Sequence, residues 1–110
     1  MNIATDNIGE VTVLRLSGDL DTGTSAGAQE TINELIEGGA TNMLINLADV
    51  GFVSSAGLRI LLAAAKKMVS VNGSLKISDL NETVHEVFEI SGFISILSVY
   101  PTDQEALQDA

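Results

Sequence analysis

Two adjacent serines, Ser54 and Ser55, occupy the stretch of this sequence whose residue types point most directly to chemistry. They join a buried-type strand to a helix, so their hydroxyls stand at a helix N-terminus. Free backbone N–H groups and the positive end of the helix dipole favour an anion there, including a phosphate on a serine. Serine is also an ordinary N-cap residue, which is its commoner use at such a point. From the residues alone, both capping and phosphorylation remain open.

The sequence contains no catalytic constellation around these serines. There is no cysteine and one histidine, His85, which removes thiol chemistry and most schemes with a histidine base. No GxxxxGK[ST] or GxGxxG pattern is present to hold nucleotide phosphates. His85 lies among acidic residues that suit a solvated helix face, so we expect no metal and no cofactor. The sequence therefore predicts a protein that is not an enzyme.

Composition narrows the range of partners. Fifteen acidic residues against five basic ones give a formal charge of −10, which repels nucleic acid phosphates and anionic lipid surfaces. Residues 1–6 lack the features of a secretory signal, and the alanine-rich apolar stretch at residues 60–65 is too short to cross a bilayer. We therefore expect a cytoplasmic protein that contacts neither nucleic acid nor membrane directly.

The rest of the chain supplies the elements that position the serines. Apolar patterning predicts five strands, at residues 2–6, 11–17, 42–48, 74–78 and 94–100, with a hairpin turn around Gly9. Helical spacing and end signals predict a first helix that stops at Gly38-Gly39, a second over 55–72, a third from the cap Asn81 to Ser91-Gly92, and a short one from Thr102. This alternation predicts one α/β domain over residues 1–110 with a mixed sheet.

The helix predicted over 55–72 has more apolar residues than a single face requires. One stripe is expected to face the core, formed by Leu58, Leu61, Leu62, Ala65, Met68 and Val69. The opposite side carries Arg59, Lys66, Lys67 and Ser70. Outside the core stripe, Ile60, Ala64 and Val71 form an apolar flank. That flank is either a docking patch near Ser55 or a surface covered by another helix of the same domain.

One stretch of the sequence resembles a known family. The pattern Asp49-Val50-x-Phe52-Val53-x-Ser55-x-Gly57-Leu58 is similar to the signature of the STAS family, best known through bacterial anti-sigma factor antagonists. Three further segments resemble family segments in the same order: Gly18-Asp19-Leu20-Asp21, Gly73-Ser74-Leu75-Lys76-Ile77 and Phe88-Glu89-Ile90-Ser91-Gly92-Phe93. The resemblance implies a single STAS domain in which a mixed sheet of about five strands packs with about four helices.

The resemblance also implies a partner-exchange switch. The unphosphorylated protein would bind an anti-sigma factor that is also a serine kinase, and so release a sigma factor. The kinase would then phosphorylate the antagonist, and a metal-dependent serine phosphatase would reset it. The motif places the phosphoacceptor at Ser55, with Ser54 as the runner-up. Family members regulated in this way often have an acid immediately before the phosphoserine, where this chain has Ser54.

A set of residues around Ser55 is expected to contact the partner. These residues are Asp21, Ser54, Ala56, Gly57, Arg59, Ile60, Ala64 and Lys67. Asp21 enters this set by resemblance, whereas its commoner structural use would be to cap the first helix. Two other roles within the family stay open, namely a subunit of a lipid-transport ATPase and an interaction module that is not phosphorylated. The free protein is expected to be a monomer.

Overall fold

The chain opens with a β-hairpin in the computed structural model, which describes residues 1–108. Strand β1 (Asn2–Ile8) runs antiparallel to β2 (Val11–Ser17). A two-residue connection joins Ile8 to Val11, and Gly9 adopts φ +61° there, a conformation that glycine accepts without a side-chain clash. The predicted hairpin is therefore confirmed. The last two residues of the predicted 1–110 domain lie outside the described residues.

The other three strands extend the sheet in parallel. Strands β3 (Asn42–Asp49), β4 (Ser74–Ser78) and β5 (Ser98–Tyr100) follow β2 in the order β1-β2-β3-β4-β5. Five consecutive residues of β3, from 43 to 47, are buried, because a central parallel strand is covered on both faces. The predicted mixed sheet and the buried central strand are confirmed.

Within residues 1–108, four α-helices pack on this sheet. Helices α1 (Ser25–Glu37), α2 (Ser55–Ser70) and α3 (Glu82–Ser91) share one large core with one face of the sheet. Helix α4 (Asp103–Gln108) lies on the other face, where Ala106 packs with Val13 and Leu44 in a smaller cluster. The α/β fold predicted from the sequence is therefore correct in its number of strands and helices. Within residues 1–108, every helix is too short or too polar to span a bilayer.

The structure corrects the start of the last strand and one residue of the predicted core stripe. The predicted strand over 94–100 begins only at Ser98, because Gly92 at φ +80° turns the chain into a 3-10 helix at Phe93–Ser95. On α2, Val69 is 71% exposed although it was placed in the core stripe.

The predicted apolar flank of α2 is wrong for two of its three residues. Ile60 and Ala64 are buried in the main core, at 7% and 3% exposure. The physical reason is that α1 packs against this side of α2. Of the two alternatives for the flank, a surface covered by another helix of the same domain is therefore the correct one for these two residues. Val71, at the C-terminal end of the helix, stays 40% exposed.

Candidate functional site

The loops that follow β2 and β3 are joined by backbone hydrogen bonds. Gly18 N–H donates to Asp49 O at 3.0 Å, and Leu20 N–H donates to Phe52 O at 2.9 Å. Ser54 N–H then donates to Leu20 O, also at 2.9 Å. Both loops leave the carboxyl ends of neighbouring parallel strands, where the sites of α/β proteins commonly lie. The start of α2 is therefore fixed to the loop that leads into α1.

Gly57 permits this close fit. A Cβ atom at Gly57 would stand 2.6 Å from Leu20 O and 3.0 Å from Val53 Cγ1, which is too close for any other residue without a shift of the backbone. Gly57 is also buried. Its inclusion among the partner-binding residues is therefore corrected: its place in the structure is to let the first turn of α2 pack on Leu20.

The two serines occupy different environments. Ser54 is the N-cap of α2, and its Oγ accepts a hydrogen bond from Gly57 N–H at 3.2 Å. Ser55 is the first residue of the helix and is exposed, whereas Ser54 is half-buried. The structure thus assigns the capping role to one serine and leaves the other at the surface. One serine can therefore cap the helix while the other is accessible for phosphorylation.

Several of the predicted partner residues lie together at this helix start. Ala56 is half-buried and Arg59 is exposed. Arg59 Nε donates to the carbonyl oxygen of Ser55 at 3.4 Å. Ala56 follows Ser55 directly and Arg59 lies one helical turn after it, so these residues adjoin Ser54 and Ser55 in what we call the Ser55 surface.

Phe52 is a surface residue that the sequence-based set of partner residues omitted. Its side chain is 45% exposed two residues before the cap, where a phenylalanine has no core to fill. Aromatic residues are enriched in protein interfaces. The family pattern includes Phe52, so the sequence marked this position. Nothing in the pattern indicates that the ring points outward. We count Phe52 with the Ser55 surface.

Asp21 has a structural task in the turn before α1. Its Oδ1 accepts from Gly23 N–H at 2.9 Å and from Thr24 N–H at 3.2 Å. The structural use considered for Asp21, capping the first helix, is corrected: the N-cap of α1 is Thr24, and Asp21 closes the turn that precedes it. A contact between Asp21 and a partner stays a prediction, and the half-buried side chain adjoins Leu20, which anchors α2.

The remaining predicted residues do not join the Ser55 surface. Ile60 and Ala64 point into the core, so they cannot meet a partner without unfolding part of α2. Lys67 lies about 18 Å along the helix from Ser55 and pairs with Glu37 of α1 at 3.4 Å. These three predictions placed residues by helical spacing alone, and the packing of α1 decides their true surroundings.

His85 is exposed, as expected for a solvated face, and contacts Glu89 at 2.9 Å between Nδ1 and Oε1. No cluster of three or more metal-ligating side chains forms within residues 1–108. The polar groups at the helix start are hydroxyl, amide and guanidinium, so their chemistry suits the capture or display of an anion.

The family model for the STAS domain matches residues 2–106. The chain belongs to the STAS domain family. Among the relatives of this STAS domain is BtrV of Bordetella bronchiseptica, assigned as an anti-sigma factor antagonist, which is 32% identical over 90% of this chain and 85% of its own length. The anti-sigma-B factor antagonist of Bacillus subtilis is 29% identical over 98% of this chain and 100% of its own.

Solved structures agree with this membership. The unphosphorylated form of the anti-sigma factor antagonist SpoIIAA superimposes with a TM-score of 0.81 at 25% identity, covering 96% of this STAS domain and 93% of that chain. The phosphorylated form of Bacillus SpoIIAA gives 0.73 at 25% identity, covering 97% of both chains. A Thermotoga maritima protein at 20% identity reaches 0.92, covering 97% and 92%, which supports the fold. These relatives are named as antagonists, in agreement with the prediction of a protein that is not an enzyme.

Proposed function

We propose that this STAS domain is an anti-sigma factor antagonist whose unphosphorylated form binds an anti-sigma factor serine kinase and so releases a sigma factor. Phosphorylation of Ser55 then ends the binding. The observation that carries the proposal is the position of Ser55, exposed on the first turn of α2 beside a capping serine. The names of its relatives, and the existence of SpoIIAA in a phosphorylated form, support the same role.

Ser55 is a better acceptor than Ser54 because its side chain is exposed. In the transfer, Ser55 Oγ gives its proton to a base of the kinase and bonds to the γ-phosphorus of ATP, and the bond from that phosphorus to the departing ADP breaks. A kinase needs an accessible hydroxyl for this displacement. Ser54 Oγ instead accepts the hydrogen bond from Gly57 N–H, and a phosphate on it would disturb the cap.

Ser54 departs from the usual family pattern, which often has an acid at this position, but it keeps the helix cap. Serine and aspartate are about equally good N-cap residues. Ser54 is the N-cap of α2, so the capping role that an acid would have before the phosphoacceptor is retained. The loss of the carboxylate therefore leaves the presentation of Ser55 intact.

The size of the switch follows from charge. Phosphoserine carries about −1.5 to −2 charges at neutral pH and three acceptor oxygens. A charge left unpaired in an interface costs about 2 to 5 kcal/mol, which weakens binding by roughly 30-fold to several thousand-fold. The dipole of α2 offsets part of this charge, so desolvation and steric exclusion at the partner contribute as well.

The partner would bind across the Ser55 surface, with Phe52 as the apolar contact and Arg59 as the basic one. Both residues are exposed in the free chain. A metal-dependent serine phosphatase is the proposed agent of reset, and the chain is a substrate of both enzymes. We further propose that the free antagonist is a cytoplasmic monomer.

The decisive experiment is phosphorylation by an anti-sigma factor kinase of the same organism, with ATP, followed by mass spectrometry of the intact chain and its peptides. We expect one phosphate, on Ser55. Ser55→Ala should take up none. Ser54→Asp is the matched control, because it keeps a good N-cap and should accept phosphate as the parent does.

Two outcomes would reject this function. If Ser55→Ala gains as much phosphate as the parent, the acceptor is elsewhere. If the parent gains none from a kinase that modifies another antagonist in the same assay, the switch is absent. Recovery of the tagged chain with a membrane ATPase would then favour the lipid-transport role. Recovery of the unphosphorylated chain with signalling proteins would favour an interaction module.

A further inference from the structure

Arg59 lies one helical turn after Ser55 on the exposed side of α2. Its Nε donates to the Ser55 carbonyl oxygen at 3.4 Å, so the side chain is directed back toward the start of the helix. Residues four apart are neighbours on a helix, and helical side chains lean toward the N-terminus. The guanidinium therefore lies beside the residue that the proposed switch would phosphorylate.

The charge of Arg59 is not neutralised by an acid within residues 1–108. In that part of the chain, Arg15 pairs with Asp103 and Lys67 pairs with Glu37, whereas Arg59 forms no salt bridge with a carboxylate. The first turn of α2 also contains no acidic residue. A phosphate on Ser55 would therefore meet a cation without a competing acid on the same turn.

We propose that Arg59 pairs with the phosphate of phosphorylated Ser55 and holds it against the surface of α2. This inference rests on the phosphorylation of Ser55 proposed above. Guanidinium offers several N–H donors in a planar fork that matches phosphate oxygens. The order is also the favourable one, since an acid four residues before a base pairs better on a helix than the reverse. Arg59 is thus a positioning residue for the modified state.

The pairing has a measurable electrostatic signature. A neighbouring cation favours the doubly charged phosphate over the singly charged one, so it lowers the second pKa of the phosphoserine. A pair of this kind on a helix surface corresponds to a shift of about 0.2 to 0.4 pH units. A purely structural role of Arg59 in α2 would leave that pKa unchanged.

The test uses the full chain with phosphoserine incorporated at position 55 during translation, so that no kinase is required. Phosphorus NMR during a pH titration at about 0.1 M salt reports the phosphate pKa. We expect a lower pKa in the parent than in Arg59→Gln, by the shift above. Arg59→Lys should retain part of the shift, because it keeps the charge and loses the fork.

Lys66→Gln is the matched control. Lys66 is exposed on the same helix but lies about 16 Å along it from Ser55, beyond the screening length of about 10 Å. Its removal should leave the titration of the parent unchanged. Identical titrations of the parent and Arg59→Gln would overturn the proposal, as would an equal shift from Lys66→Gln. A kinase that never modifies Ser55 would instead reject the proposed function, which this titration does not use.

Discussion

The start of α2 and the helix α4 are attached to the same sheet by different kinds of contact. At the start of α2, backbone groups bond directly, from Ser54 N–H to Leu20 O and from Leu20 N–H to Phe52 O, both at 2.9 Å. Besides the packing of Ala106 on Val13 and Leu44, helix α4 is held by two long basic side chains. Arg15 contacts Asp103 at 3.2 Å, and Lys76 Nζ donates to Ala106 O at 2.9 Å.

This difference separates a rigid region from an adjustable one. Backbone contacts need no side-chain rotamer to be frozen, whereas ordering a lysine or arginine costs about 1.5 to 2 kcal/mol of conformational entropy. The α4 face also has a small apolar cluster, formed by Val13, Leu44 and Ala106, beside a groove of about 440 Å³. We infer that the backbone around Ser55 is rigid, whereas α4 detaches from the sheet at a lower cost in free energy.

The largest effect is expected when the packing at the start of α2 is disturbed. Gly57→Ala places a Cβ 2.6 Å from Leu20 O, so the first turn of α2 must move. We expect the free energy of unfolding to fall by about 1 to 3 kcal/mol, measured by urea denaturation, together with slower phosphorylation of Ser55.

Gly27→Ala is the matched control for that substitution. Gly27 lies in α1, and nothing stands within 4 Å of the Cβ that it would gain. Its replacement should raise stability by about 0.5 to 1 kcal/mol, since alanine favours a helix over glycine. Equal losses in the two variants would mean that close packing at Leu20 is not what makes Gly57 necessary.

A smaller effect should distinguish the two neighbouring serines. Ser54→Ala removes the side-chain cap of α2 and is expected to lower the free energy of unfolding by about 1 kcal/mol. Ser55→Ala should change it by less than about 0.5 kcal/mol, because the side chain is exposed. Urea denaturation of both variants measures the difference, and a reversed ranking would contradict the assigned cap.

The smallest effect is expected at α4. Asp103→Asn removes the ion pair with Arg15, whose side chains are 42% and 34% exposed, and should cost less than about 1 kcal/mol. Hydrogen exchange gives the sharper measurement, since amides of α4 should exchange faster while those of α2 keep the rates of the parent. Equal acceleration in α2 would show that the two regions do not open separately.

Local sequence signals were sufficient for most of the elements. The central strand is mostly apolar, with Asn46 as a buried polar residue, and Asn81 caps α3 by accepting from Val84 N–H at 2.8 Å, as its residue type predicts. The side of α2 that faces the core was harder to predict. With apolar residues on more than one side, helical spacing permits several stripes, and contact with α1 decides that Ile60 and Ala64 are buried while Val69 is exposed.

The site could be predicted in part. The family pattern marked Ser55 and its neighbours, but no sequence signal shows that Leu20 bonds Phe52 and Ser54 across two loops, because such contacts join segments far apart in the chain. The start of β5 was missed for a different, local reason. An apolar run before Ser98 suits a strand, and only the left-handed turn at Gly92 redirects it.

One carbonyl group links the entrances of two helices. The carbonyl of Leu20 seats α2 through Ser54 and Gly57, and the next residue, Asp21, folds the turn into α1. A change that displaces this turn therefore also displaces the acceptor of the hydrogen bond from Ser54 N–H. The entrance to α1 and the start of α2 are for this reason expected to loosen together.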